Sequence, residues 1–306
     1  MMRIRFLKGG EKIGIVAPGF AVKRQHVLRG AAYLKRKGFN VIFGKSIFRK
    51  SGYFAGSDEE RACDLNAMIE DREVRAIVFA RGGFGTSRIL NRINFDALRK
   101  DPKILLGYSD LTSLFLTVRK IVDIPVFYGP VAVELRNLKC YDEKSLWALL
   151  LGKSFRIKIG KRQVLVEGRS EAVAEGGCLT LIANLLGTPF EPDFSGKILF
   201  WEEMGEEAYR IDRLLSHLSM ARKLEKLRGV IVGRLVGCVE SRLSPGKRSI
   251  KEILEEYFGN RGIPVLYNFP AGHCLKKVTI PLGIKMTIDT ERYSVEFKTS
   301  CRESVR

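Results

Sequence analysis

A chain of 306 residues with 45% hydrophobic and 28% charged residues has the make-up of a globular protein with a substantial core and room for two domains. No apolar run approaches the roughly 20 residues that span a bilayer, and charge interrupts residues 1–8 too early for a signal peptide, so a cytoplasmic protein without membrane association is expected. The net charge of +19 is dispersed along the chain, which argues against a nucleic-acid partner and for a solvated basic surface that attracts acidic substrates.

In chain order, residues 12–17 predict a strand ended by Pro18-Gly19. Residues 24–37 predict a helix stopped by Gly38, and residues 39–43 a second strand. A helix follows over 58–71, with Asp58 as its candidate cap. Residues 74–80, 104–106 and 124–128 predict three further strands. Strands alternating with helices imply βαβ units, hence a mostly parallel sheet with helices on both faces. The pattern weakens from 138 to 168, where 142–151 predicts a helix and the basic, alternating 155–166 a hairpin or exposed strand. Beyond it come a helix at 178–186, a strand at 197–201, an amphipathic helix at 208–224 and strands at 229–239 and 263–267. An alternating stretch runs from 277. The expected fold is α/β: an N-terminal parallel-sheet domain of Rossmann or flavodoxin kind (1–137), a connection (138–168) and a strand-rich α+β domain (169–306).

Ser109 sits where the strand at 104–106 gives way to a helix whose apolar face is Leu111, Leu114, Phe115 and Val118. A serine at such a turn is lifted from the sheet and set against the free N–H groups of a helix, as in a nucleophile elbow. The competing reading is that Ser109-Asp110 only caps the helix. A serine nucleophile needs a base. Of three histidines, His26 lies among basic residues of a helix and His217 within an amphipathic helix. His273, in a loop following a strand, is the best candidate. The histidine needs an orienting acid. Glu202 and Glu203 come directly after the predicted strand at 197–201, with Glu206 and Glu207 near, and spacing does not choose among them. The glycine-rich run Arg81-Gly-Gly-Phe-Gly-Thr-Ser87 follows a strand. It is spelled neither as a dinucleotide fingerprint nor as a Walker loop, leaving a nucleotide or phosphate site (at Gly82–Gly85) or an oxyanion hole shared with the Asp110 N–H. Cysteines at 63, 140, 178, 238, 274 and 301 have no Cys-x-x-Cys spacing, which argues against a disulfide scaffold or a structural zinc site.

Several segments together resemble the L,D-carboxypeptidases of peptidase family S66, which act on murein tetrapeptide. They are Ile15-Val-Ala-Pro-Gly, Arg81-Gly-Gly-Phe-Gly-Thr-Ser-Arg, Leu106-Gly-Tyr-Ser-Asp-Leu-Thr, Gly187-Thr-Pro-Phe-Glu-Pro-Asp-Phe, Lys197-Ile-Leu-Phe-Trp-Glu-Glu, Tyr209-Arg-Ile-Asp-Arg, and Pro270-Ala-Gly-His with Ile280-Pro-Leu-Gly, in family order. The resemblance implies a Ser109–Glu202–His273 triad, with Ser109 in one domain, the acid and base in the other and the cleft at their interface. It implies no metal or other cofactor, and a homodimer; for such an enzyme the glycine-rich loop's oxyanion hole is expected from the backbone N–H groups of Gly83 and Asp110. The implied activity is release of terminal D-alanine from a murein-derived peptide in cell-wall recycling. The alternative within the family is the microcin C immunity-type amide hydrolase. Three departures bear on substrate: Tyr128 where the family has His before Gly-Pro, Cys178 where it has Asn, and Cys274-Leu-Lys-Lys after the histidine.

Overall fold

The computed structural model describes residues 4–239 and 248–299; Cys301 lies outside them. The chain divides into two compact units, Met1–Lys153 with Leu275–Gly283, and Ser154–Cys274 with Ile284–Arg306.

The first unit contains β1 (Lys12–Val16), α1 (Arg24–Arg36), β2 (Asn40–Phe43), α2 (Asp58–Glu70), β3 (Val74–Phe79), α3 (Phe95–Lys100), β4 (Ile104–Gly107), α4 (Thr112–Ile121), β5 (Val126–Tyr128) and α5 (Glu143–Leu150). Its sheet runs β2-β1-β3-β4-β5 in parallel, the flavodoxin-like order. Buried faces on both sides explain why the strands read as continuous apolar runs: every residue of β3 and β4 is buried. The cap of α2 is Ser57 rather than Asp58. Its hydroxyl accepts from the Glu60 N–H while the Glu60 carboxylate accepts from the Ser57 N–H, a reciprocal box that Asp58, already inside the first turn, cannot make. Asp58 instead pairs with Arg61 and Arg88.

The second unit contains β6 (Phe155–Lys158), β7 (Val164–Val166), β8 (Arg169–Cys178), α6 (Leu179–Ala183), β9 (Ile198–Met204), α7 (Ala208–Met220), β10 (Gly229–Val236), α8 (Ile250–Phe258) and β11 (Val265–Leu266). After β12 (Ile280–Leu282), which adds antiparallel to β5 of the first unit's sheet, come β13 (Lys285–Asp289) and β14 (Ser294–Phe297). The mixed sheet is ordered β6-β14-β13-β8-β9-β10-β11-β7, parallel through β8 to β11. Residues 155–166 form no hairpin: β6 pairs with β14 and β7 with β11, at opposite edges. Helix α8 carries Ile253, Leu254 and Phe258 on its buried face behind a Ser249–Glu252 capping box. No described helix is long and apolar enough to cross a membrane, and the five described cysteines are free thiols.

Candidate active site

The elbow begins where β4 ends. Tyr108 is extended, Ser109 has φ 66°, and a 3₁₀ turn over Ser109–Leu111 leads into α4. A left-handed conformation costs a side-chain-bearing residue about 1–2 kcal/mol, and it persists where the surroundings over-determine it. Here they do. The Ser109 N–H donates to the Tyr128 hydroxyl at 3.1 Å. The Tyr108 hydroxyl donates to Glu134 Oε1 at 2.9 Å, and the buried Lys277 ammonium sits 2.6 Å from the same oxygen and 4.4 Å from the Tyr108 ring centre. Tyr128 and Lys277, two of the departures noted in the sequence, thus form the scaffold of the elbow.

The glycine-rich run lies against that serine. A Cβ on Gly82 would stand 2.8 Å from Ser109 Cβ and 3.0 Å from its Oγ, so only glycine lets the loop approach so closely. Gly83 has φ 124°. The loop is tied down by Asp110, whose Oδ2 accepts from the Thr86 N–H at 2.9 Å and the Thr86 hydroxyl at 2.5 Å. Asp110 is therefore not capping α4 with its side chain. Burial raises the Asp110 pKa, against the opposing pull of the Thr86 bonds.

In the second unit β9 continues to Met204, so Glu202 and Glu203 lie inside the strand rather than after it. Neighbours on a strand point to opposite faces, and this separates the two carboxylates. Glu202 is fully buried, and its Oε2 lies 2.8 Å from His273 Nδ1 and accepts the His273 backbone N–H at 3.2 Å. Gly272 makes room: with φ 96°, its Cβ would fall 2.4 Å from the Glu202 carboxylate. A carboxylate facing Nδ1 holds the proton there and leaves the Nε2 lone pair as a base. Glu203 instead accepts from the Thr180 N–H and hydroxyl, both at 2.8 Å, and from the Met204 N–H at 3.0 Å. Burial raises its pKa. Burial, together with the Glu203 and Glu202 carboxylates, also pushes the Cys178 thiol well up. Glu206 and Glu207 face Arg210. His26 and His217 sit on α1 and α7, away from any such pairing among the described ion pairs. No cluster of three candidate metal ligands occurs among the described residues.

A strained serine elbow against a glycine loop in the first unit, and a histidine oriented by a buried glutamate in the second, are each arrangements that serine hydrolases use. The family models for the LD-carboxypeptidase N-terminal and C-terminal domains match residues 13–129 and 171–288. The chain belongs to the LD-carboxypeptidase family, peptidase family S66. As an LD-carboxypeptidase family member it is a peptidase. It is 36% identical to the "Probable murein peptide carboxypeptidase" of Bacillus subtilis, over 93% of this chain and 90% of that one. It is 28% identical to the "Microcin C7 self-immunity protein MccF" of Escherichia coli, over 94% and 92%. The muramoyltetrapeptide carboxypeptidase structure from Oxalobacter formigenes superposes with a TM-score of 0.83 at 27% identity, covering 94% of this chain and 97% of that chain. The LD-carboxypeptidase fold thus holds throughout, with the parallel sheet first and the strand-rich sheet second.

The local signals that made Ser109 and His273 candidates were present in the sequence. What it missed in this family member was the Asp110–Thr86 tie and the Lys277–Glu134–Tyr108 network. Nothing in an alternating run marks one lysine for burial.

Proposed function

We propose that this protein is a serine L,D-carboxypeptidase that hydrolyses the L,D-peptide bond before the terminal D-alanine of a murein-derived tetrapeptide. Ser109 Oγ attacks the scissile carbonyl, His273 takes the serine proton and returns it to the leaving amine, and Glu202 holds the imidazole tautomer. The backbone N–H groups of Gly83 and Asp110 receive the oxyanion. The observation that carries this reading is the His273 Nδ1–Glu202 Oε2 pair at 2.8 Å, in a chain whose Ser109 is held at φ 66°. The reading includes a cytoplasmic homodimer working in cell-wall recycling, supported by the family resemblance and by the murein peptidases among its relatives.

Mass spectrometry of tetrapeptides ending in D-alanine or L-alanine, with and without EDTA, tests it. Loss of D-alanine alone, indifferent to chelation, is expected. Equal cleavage of both isomers, or EDTA inhibition reversed by zinc, overturns it. The 28% identity to the microcin self-immunity protein supports a second reading, a microcin C immunity-type amide hydrolase. Turnover of aspartyl sulfamoyl adenosine, the compound bound in a structure of that immunity protein, with no turnover of the peptide would select it.

A further inference from the structure

We infer that Arg81 recognises the free C-terminal carboxylate of the peptide and so confines hydrolysis to the chain end; this rests on the carboxypeptidase reading above. An enzyme that removes only the last residue must bind a carboxylate beside the scissile bond. A guanidinium is the side chain best matched to that planar anion.

The first unit's sheet reverses its order between β1 and β3, and ligands of such sheets bind beyond the strand ends at that switch point. Arg81 lies there, two residues past the end of β3, and its neighbour Gly82 is the residue that packs on Ser109. Its guanidinium is placed by Phe20 and Ala21, which follow β1. Nη1 donates to the Ala21 carbonyl and Nε to the Gly82 carbonyl, both at 3.2 Å, and the group lies 5.5 Å from the Phe20 ring centre. Carbonyls and a ring orient the cation without neutralising it. Other arginines nearby are already paired: Arg61 and Arg88 with Asp58, Arg92 with Glu59. Among the described residues Arg81 has no carboxylate partner, and it is exposed. An oriented, uncompensated guanidinium on the residue that precedes the glycine packed on Ser109 is a receptor for a substrate anion.

The test compares kcat/KM of wild type, Arg81→Gln and Arg81→Lys on two tetrapeptides that differ only in a terminal carboxylate or carboxamide. Wild type should prefer the acid by about 30-fold, the worth of a charge-assisted pair. Arg81→Gln should lose about that factor on the acid and nothing on the amide, so that the two become equal. Arg81→Lys, which keeps the charge without the fork, should fall between. Thermal melting should be unchanged, because the side chain is exposed. An equal loss on both peptides, or no loss on the acid, overturns the assignment of Arg81 alone. Wild type cutting neither peptide overturns the carboxypeptidase reading, and this inference with it.

Discussion

The proposed nucleophile and the proposed acid–base pair are built in opposite ways. Ser109 is placed locally, by a strand, a turn and a helix within a few residues, and its backbone is strained at φ 66°. His273 and Glu202 are 71 residues apart in sequence and are joined by a part-buried hydrogen bond, beside which a glycine, Gly272, takes the left-handed backbone. The difference follows from what each group must do. A nucleophile has to project from the sheet, and backbone strain achieves that. A base has to keep one tautomer and one orientation, which a buried carboxylate enforces.

Mutations can break this contrast, the largest effect being at the elbow. Ser109→Ala should lower turnover by on the order of a millionfold while the protein stays folded. Ser109→Gly should be equally inactive but about 1 kcal/mol more stable than Ser109→Ala, because only glycine sheds the left-handed penalty. Equal denaturation midpoints for the two variants would show that the elbow stores no strain. On the other side, Glu202→Gln no longer enforces the tautomer and should cost about 10⁴-fold in kcat. A Glu202→Gln/His273→Ala double variant should be within about threefold of the worse single one, since such groups act as a unit. Additive losses would mean that the pair does not work together.

Glu203 sharpens the comparison from the same strand. Glu203→Ala leaves the Thr180 and Met204 N–H groups without their acceptor and should cost about 2–4 kcal/mol of stability. Its kcat/KM below the melting range should fall by no more than about tenfold. A collapse of activity without loss of stability would exchange the roles of the two carboxylates.

The smallest effect concerns Asp110, and it depends on pH. The carboxyl group has an ordinary value of 3.8, raised in the folded protein by burial. Between those two values the unfolded chain has released a proton that the folded protein still holds. The Asp110 contribution to stability is therefore highest at low pH and declines as pH rises through that window. Asp110→Asn keeps an acceptor for Thr86 and removes the titration. Its unfolding free energy relative to wild type should increase from pH 4 upward and then level off. A relative stability that falls with pH would mean that Asp110 is favoured as the anion.

The turn at Ser109 and the loop that holds His273 were legible as candidates in the sequence for a physical reason. The elbow is a local event, marked by an apolar run, a Gly-Tyr-Ser-Asp turn and helical spacing. The histidine was legible because only three exist. The parallel sheet was legible because buried strands and amphipathic helices leave different periods in the chain. Spacing and periodicity left the rest to tertiary structure, although the family resemblance already pointed to Glu202. Glu202 and Glu203 are chemically alike and adjacent; which one meets His273 depends on which face of β9 turns toward the loop at Gly272, a matter of strand register. The edges of the second sheet separated residues 155–158 from 164–166 because their partners, β14 and β11, lie far along the chain. Lys277 is buried because Glu134 and Tyr108 meet it from more than 140 residues away, and no local pattern records a partner at that distance.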